Sequence, residues 1–143
     1  MGAAAGLVGR IAERRAGVGD PRALVGELRR ALVLVPFGGS GLWTAKLGGV
    51  RWISGFTDEV ALARFAKARG GGKGTDGTDG AWEYAELRGA RLLDEIIPAM
   101  GVPAGVAINV ADPDGSMLFP PVVGIVPEAV ALDAVEPREG GWR

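Results

Sequence analysis

The sequence predicts an α+β fold: a single domain with a mixed, mainly antiparallel sheet of about five strands and helices packed against it. Three observations lead there. Leu32–Val35 and Ala104–Val110 are near-continuous apolar runs, the pattern of strands covered on both faces. Gly48-Gly49 separates two short strand-like segments and suits a two-residue hairpin turn. The stretch Gly49–Gly55 (GVRWISG) leads directly into a well-signalled helix that ends at Arg69, which is a strand followed by a helix laid back on the sheet.

Taken in order, residues 1–19 are rich in Ala and Gly and form an N-terminal extension, either poorly ordered or docked. Leu7, Val8, Ile11 and Arg15 can line a short helix there, weakened by Gly6, Gly9 and Gly17. A membrane-surface or partner helix is the alternative reading of that face. The domain proper is expected over 20–135. Asp20-Pro21 starts a helix, with Asp as the cap and Pro in the first turn. Leu24, Val25, Leu28 and Ala31 form its apolar stripe. The first strand follows at once and is broken by Pro36 and the glycines of 38–41.

The hairpin pairs Leu47 with Val50, Lys46 with Arg51, Ala45 with Trp52 and Thr44 with Ile53. Trp43, Ala45, Leu47, Val50 and Trp52 then share one face, which their size assigns to the core. Thr57 is the expected cap of the next helix, with Asp58 and Glu59 at its positive end. Ala61, Leu62, Phe65 and Ala68 form its buried side. Gly70–Gly80 (GGGKGTDGTDG) is a flexible loop. It lacks the Lys-Ser/Thr pair and preceding strand of a phosphate loop, and Asp76 and Asp79 are too few for a calcium loop.

Ala81–Leu87 alternates as a strand, and Gly89–Ile97 is a helix that Pro98 ends. Asn109, near the end of the second apolar strand, is expected to hydrogen-bond into the following loop. Asp112-Pro113-Asp114-Gly115 has the residues of a type I turn. Ser116–Phe119 is a short strand, Pro127–Val135 a last short helix, and 136–143 a tail.

The residue types absent from the chain restrict its chemistry. It holds no Cys and no His among 143 residues. Disulfides, thiolate nucleophiles, imidazole bases and the Ser-His-Asp and Cys-His constellations are therefore unavailable. Sixteen basic against seventeen acidic residues, net −1, give no positive excess for nucleic acid. No apolar run is long enough to span a membrane, and no secretory signal opens the chain, so the expected location is cytoplasmic. The Ala, Gly, Val and Arg content fits a bacterial genome rich in G and C.

Several pieces, in this order, carry a resemblance to a known family. They are Ala31–Pro36, Val50–Thr57, Ala61–Phe65, Leu92–Asp94, Gly105–Asn109 and Leu118-Phe119-Pro120-Pro121. Together they resemble the SseB-like family, specifically its N-terminal domain. Where that family has an Asn-Pro-Gly-like turn, this chain has Asn109-Val110-Ala111-Asp112-Pro113. The resemblance implies an α+β domain of unsettled biochemical role, and it brings no catalytic residue with it.

The function expected is a non-catalytic binding or interaction domain that takes another protein or a second copy of itself, with no cofactor. The candidate binding surface is the junction of Ser54, Gly55, Phe56 and Thr57 with Met117, Phe119 and Pro120, where strand ends meet loops. An immunity or secretion-accessory protein that covers a partner is the alternative. A third reading is an enzyme whose carboxylates hold a metal through Asp112 and Asp114 with Asp133 or Glu128, although turn chemistry explains that spacing as well.

Overall fold

The computed structural model describes residues 5–39, 41–70 and 82–134 of the chain. The expected glycine-rich loop over 71–80 and the tail over 136–143 lie outside the described residues. In chain order, helices α1 (Ala5–Arg15) and α2 (Pro21–Arg30) precede strand β1 (Leu32–Pro36) and the hairpin of β2 (Thr44–Leu47) and β3 (Val50–Gly55). Helix α3 (Glu59–Gly70) and β4 (Tyr84–Arg88) follow. A helical rod comes next, made of α4 (Gly89–Arg91), a π-helical segment over Leu92–Ile96, and α5 (Ile97–Met100). Strands β5 (Ala104–Ile108) and β6 (Met117–Phe119) and a 3-10 turn over Glu128–Val130 complete it.

This is a single α+β domain with helices packed against sheet. The strands divide between two sheets, β1 with β4 and a four-stranded sheet in the order β2-β3-β5-β6. Only the β3–β5 neighbours are parallel; the other pairs are antiparallel. A parallel pair needs a long crossover, and α3 and the rod supply it. The sheets touch at Leu34 and Phe56, whose backbone N–H groups each donate to the other's carbonyl at 2.8 Å.

Alternation along β1 separates two apolar clusters. Val33 and Val35 enter the main core with Leu28, Ile53, Leu92, Ile97 and Phe119. Leu34 points the other way, into a second cluster of Phe56, Ala61, Leu62 and Phe65 that Trp43, Trp82 and Tyr84 cover. Phe65 stacks on Trp82 with ring centroids 5.5 Å apart, and the Arg69 guanidinium lies 4.9 Å over Trp43. The continuous apolar run of β1 thus has a partner for each face.

The hairpin has the register the Gly48-Gly49 turn predicts, from Thr44↔Ile53 to Leu47↔Val50. Its faces are not divided as expected, since Trp43, Ala45, Val50 and Trp52 are only half-buried. Ile53 is 0% exposed, whereas Leu47 is 72% exposed. Register decides which residues share a face, but the helices decide which face is covered.

Two helix boundaries also differ from expectation. Asp58, not Thr57, caps α3: its Oδ1 accepts the Ala61 N–H at 2.8 Å. Pro98 does not end its helix. The π-helical segment places the Ile97 N–H on the Leu92 carbonyl, five residues back, immediately before the proline. In uninterrupted α geometry the Pro98 ring would meet the carbonyl four residues earlier, and the widened turn relieves that contact. Gly101, at φ 72°, ends the rod instead.

Residues 1–19, read from the sequence as an extension, contribute α1. Leu7 (0% exposed) and Ile11 (1%) enter the main core beside α2. The Arg15 guanidinium donates to the carbonyls of Pro113 at 2.7 Å and Ser116 at 2.9 Å, fastening the end of α1 to the β5–β6 loop. Among the described residues no helix is long and apolar enough to cross a membrane.

Helix α2 is joined to the rod by a two-pronged ion pair, Arg29 Nη1 and Nη2 to the Asp94 carboxylate at 3.1 and 2.5 Å. The Arg29 hydrogen bond and charge hold the Asp94 carboxyl below its ordinary range, against the opposing effect of burial. A depressed folded value contributes stability above the unfolded pKa, and that contribution is lost as pH falls through the folded one. Both side chains are about 40% exposed, so solvent screening keeps the pair small. Asp94→Asn is expected to cost about 0.5 kcal/mol at neutral pH. The gap from the parent should close as pH falls below the ordinary carboxylate range in urea titrations. A gap unchanged at the acidic end would mean that the charge pair is not its source.

Candidate functional site

Strands β3 and β5 run side by side and end together, and their two exits are tied to each other. The Asn109 N–H donates to the Gly55 carbonyl at 2.9 Å. The Asn109 side chain then reaches the β3–α3 turn: Oδ1 accepts the Thr57 N–H at 3.1 Å, and Nδ2 donates to Thr57 Oγ1 at 3.0 Å. Asn109 sits at φ 52° and is the one non-glycine residue at positive φ among the described residues. Asparagine tolerates that region better than most side chains. It is 6% exposed and Thr57 is half-buried, so this clasp is largely shielded from solvent. The sequence reading expected Asn109 to hydrogen-bond into the loop that follows it, and its carbonyl does so, accepting the Asp112 N–H at 2.9 Å; its side chain bonds to Thr57, 52 residues earlier.

Beyond Asn109 the chain makes the turn that Asp112-Pro113-Asp114-Gly115 predicts. The Gly115 N–H donates to the Asp112 carbonyl at 3.3 Å, and the Asp114 N–H donates to Asp112 Oδ1 at 3.0 Å. A β-carbon on Gly115 would lie 2.5 Å from Asp112 Oδ2, so a larger residue there would displace the Asp112 carboxylate. From α3, Arg64 approaches Asp112 Oδ2 at 3.6 Å.

These elements enclose a half-open cleft of about 340 Å³. Helix α1 supplies one wall with Val8, Ile11 and Ala12. The start of α3 supplies the other with Asp58, Val60, Ala61 and Arg64. Thr57 and Asn109 line it from the strand exits, and Asp112, Asp114 and Gly115 from the loop. It lies at the carboxyl ends of a parallel strand pair, a position where open sheets commonly receive ligands.

Of the residues expected to form the binding surface, Thr57 lines this cleft. Ser54 and Gly55 are buried in β3, and Phe56 is 0% exposed within the second cluster, 5.0 Å from Phe65 between ring centroids. Phe119 is 1% exposed in the main core, opposite Val106 in the β5–β6 register. Met117 pairs with Ile108, and Pro120 is half-buried just past β6. Phe56 and Phe119 are thus buried in different clusters and form no common exposed surface.

The carboxylates considered for a metal are not gathered together. Asp112 is taken up by its turn and Arg64, and Asp133 Oδ1 accepts the Val123 N–H at 2.7 Å. Among the described residues no three His, Cys, Asp or Glu side chains converge as a metal site. Apart from Thr57 and the Asp112 and Asp114 carboxylates considered for a metal, sequence reasoning missed the cleft residues, those of α1 and of the start of α3 above all. Spacing put Leu7, Val8 and Ile11 on one helical face, but nothing local showed that α1 stands across the strand ends from α3. Compared with protein-family models, curated proteins and solved structures, the chain finds no match.

Proposed function

We propose that this domain is a non-catalytic interaction module, and that the cleft between α1, α3 and the β5–β6 loop receives part of another protein. The observation that carries the reading is the cleft's make-up. Its walls carry aliphatic side chains, with Val8 48% and Val60 66% exposed, beside polar groups several of which already serve structural bonds. Asp58 caps α3, Asp112 closes a turn, and Asn109 holds Thr57. No imidazole or thiol exists in the chain to act as base or nucleophile. Aliphatic side chains beside fixed polar groups suit recognition. The resemblance to SseB-like domains belongs to the same proposal and supports a domain that works without catalytic residues.

Site-specific photocrosslinking in the native host tests it. A photoreactive residue at Val60 should form an adduct with one defined protein. The same probe at Leu118, 55% exposed on β6 and outside the cleft, should not. Adducts at Leu118 alone would move the function to the sheet. A second reading would then apply, in which the module covers a partner's surface through its exposed strands. The outer position of β2 in its sheet among the described residues, with Leu47 72% exposed, favours that second reading.

A further inference from the structure

The charge and hydrogen-bonding capacity of the cleft narrow the chemistry of its occupant. Its lining holds three carboxylates, Asp58, Asp112 and Asp114, against one cation, Arg64. The excess is local, since the whole chain has a net charge of only −1. Arg64 stands 3.6 Å from Asp112, and neither Asp58 nor Asp114 has an ion-pair partner among the described residues. A cation entering beside Asp114 therefore meets a net negative lining in a partly enclosed space, moderated by the Arg15 guanidinium on the neighbouring Pro113 and Ser116 carbonyls. The positive end of α3 opposes it, and Asp58 at the cap offsets that end.

Two further observations separate the candidate cations. The mouth of the cleft is aliphatic at Val8 and Val60, which a compact hydrated ion would not use. The methylene stem of a lysine or arginine packs on such a surface while its head reaches the acids. The buried Asn109 amide also lines the cleft and spends one of its two amide hydrogens on Thr57 Oγ1. The second has no acceptor among the described residues, and a buried donor without a partner is costly. A peptide carbonyl next to the basic side chain would accept it.

We infer that the cleft recognises a basic side chain, lysine or arginine, presented by an extended segment of a partner polypeptide, with the head on the acidic side, the stem between Val8 and Val60, and a flanking carbonyl on Asn109. This rests on the interaction reading and specifies it. The probes are three: a capped Ala-Ala-Lys-Ala-Ala peptide, the same peptide with norleucine for lysine, and n-butylamine. Amide NMR titration of the full chain is the readout. The lysine peptide should shift the resonances of Thr57, Val60, Asn109 and Asp114 saturably. The norleucine peptide and the free amine should each bind about tenfold more weakly. Asp114→Asn, at an exposed side chain, should weaken the lysine peptide about threefold and leave the melting temperature unchanged.

Equal binding of the norleucine peptide would overturn the charge assignment, and equal binding of n-butylamine would overturn the peptide assignment. If no probe shifts the cleft while crosslinking at Val60 still captures a protein, this inference fails and the interaction reading stands. If both measurements are blank, both fall.

Discussion

Gly89→Ala is expected to cost about 3 kcal/mol or more, a large fraction of the stability of an ordinary domain. Gly89 is buried where β4 passes into the helical rod, and its N–H donates to the Ala31 carbonyl at 2.9 Å. A β-carbon there would lie 2.6 Å from the backbone carbonyl carbon of Leu28 and closer still to its oxygen. Those are atoms of α2, whose Leu28 side chain is 0% exposed, so relief requires a main-chain shift and not a rotamer change. Gly9→Ala is the matched control. It is a helical position with nothing within 4 Å of the added carbon, and alanine there should stabilise by about 0.5–1 kcal/mol. Urea titration of both variants decides the matter. A Gly89→Ala midpoint within error of the parent would show that α2 and the rod do not pack this closely.

Ile11→Ala should cost about 3 kcal/mol, because Ile11 is 1% exposed and removing its outer carbons leaves a cavity between α1 and the core. Val8, one turn away and 48% exposed, should tolerate the same truncation at little cost. The comparison also bears on function, since α1 is one wall of the cleft. If Ile11→Ala cost less than Val8→Ala, α1 would not be docked in solution. The cleft would then be an open ledge, and the proposed binding site would lose half its surface.

Much of the fold was legible locally. Asp20-Pro21 caps α2 as expected, with the Asp20 carboxylate accepting the Arg22 N–H at 3.0 Å. The Gly48-Gly49 pair, at φ 63° and 81°, yields the counted hairpin register. The β1 run has both faces covered, and the Asp112–Gly115 turn closes as its residues indicate. In each case the deciding interaction spans a few residues or follows from the period of a strand.

The candidate site was less legible. Phe56, Thr57 and Phe119 look alike in sequence as conspicuous residues near strand ends. Only the tertiary packing sends the two phenylalanines into separate clusters, Phe56 under α3 and Phe119 into the main core, and leaves Thr57 at an opening. Asn109 was noticeable for its position, but its partner is 52 residues away.

The sequence by itself determined the α+β class, most element positions, the hairpin register, the turn chemistry and the exclusion of imidazole and thiol catalysis. These depend on residue type, spacing and short-range hydrogen bonds. The tertiary structure alone decided which hairpin face is buried, the division of the strands into two sheets, the docking of α1, and the passage of Pro98 inside a helix. It also brought Val8, Val60, Asn109 and Asp114 around one cleft. Those outcomes depend on which distant surfaces exclude water from one another, a long-range packing result that no local pattern encodes.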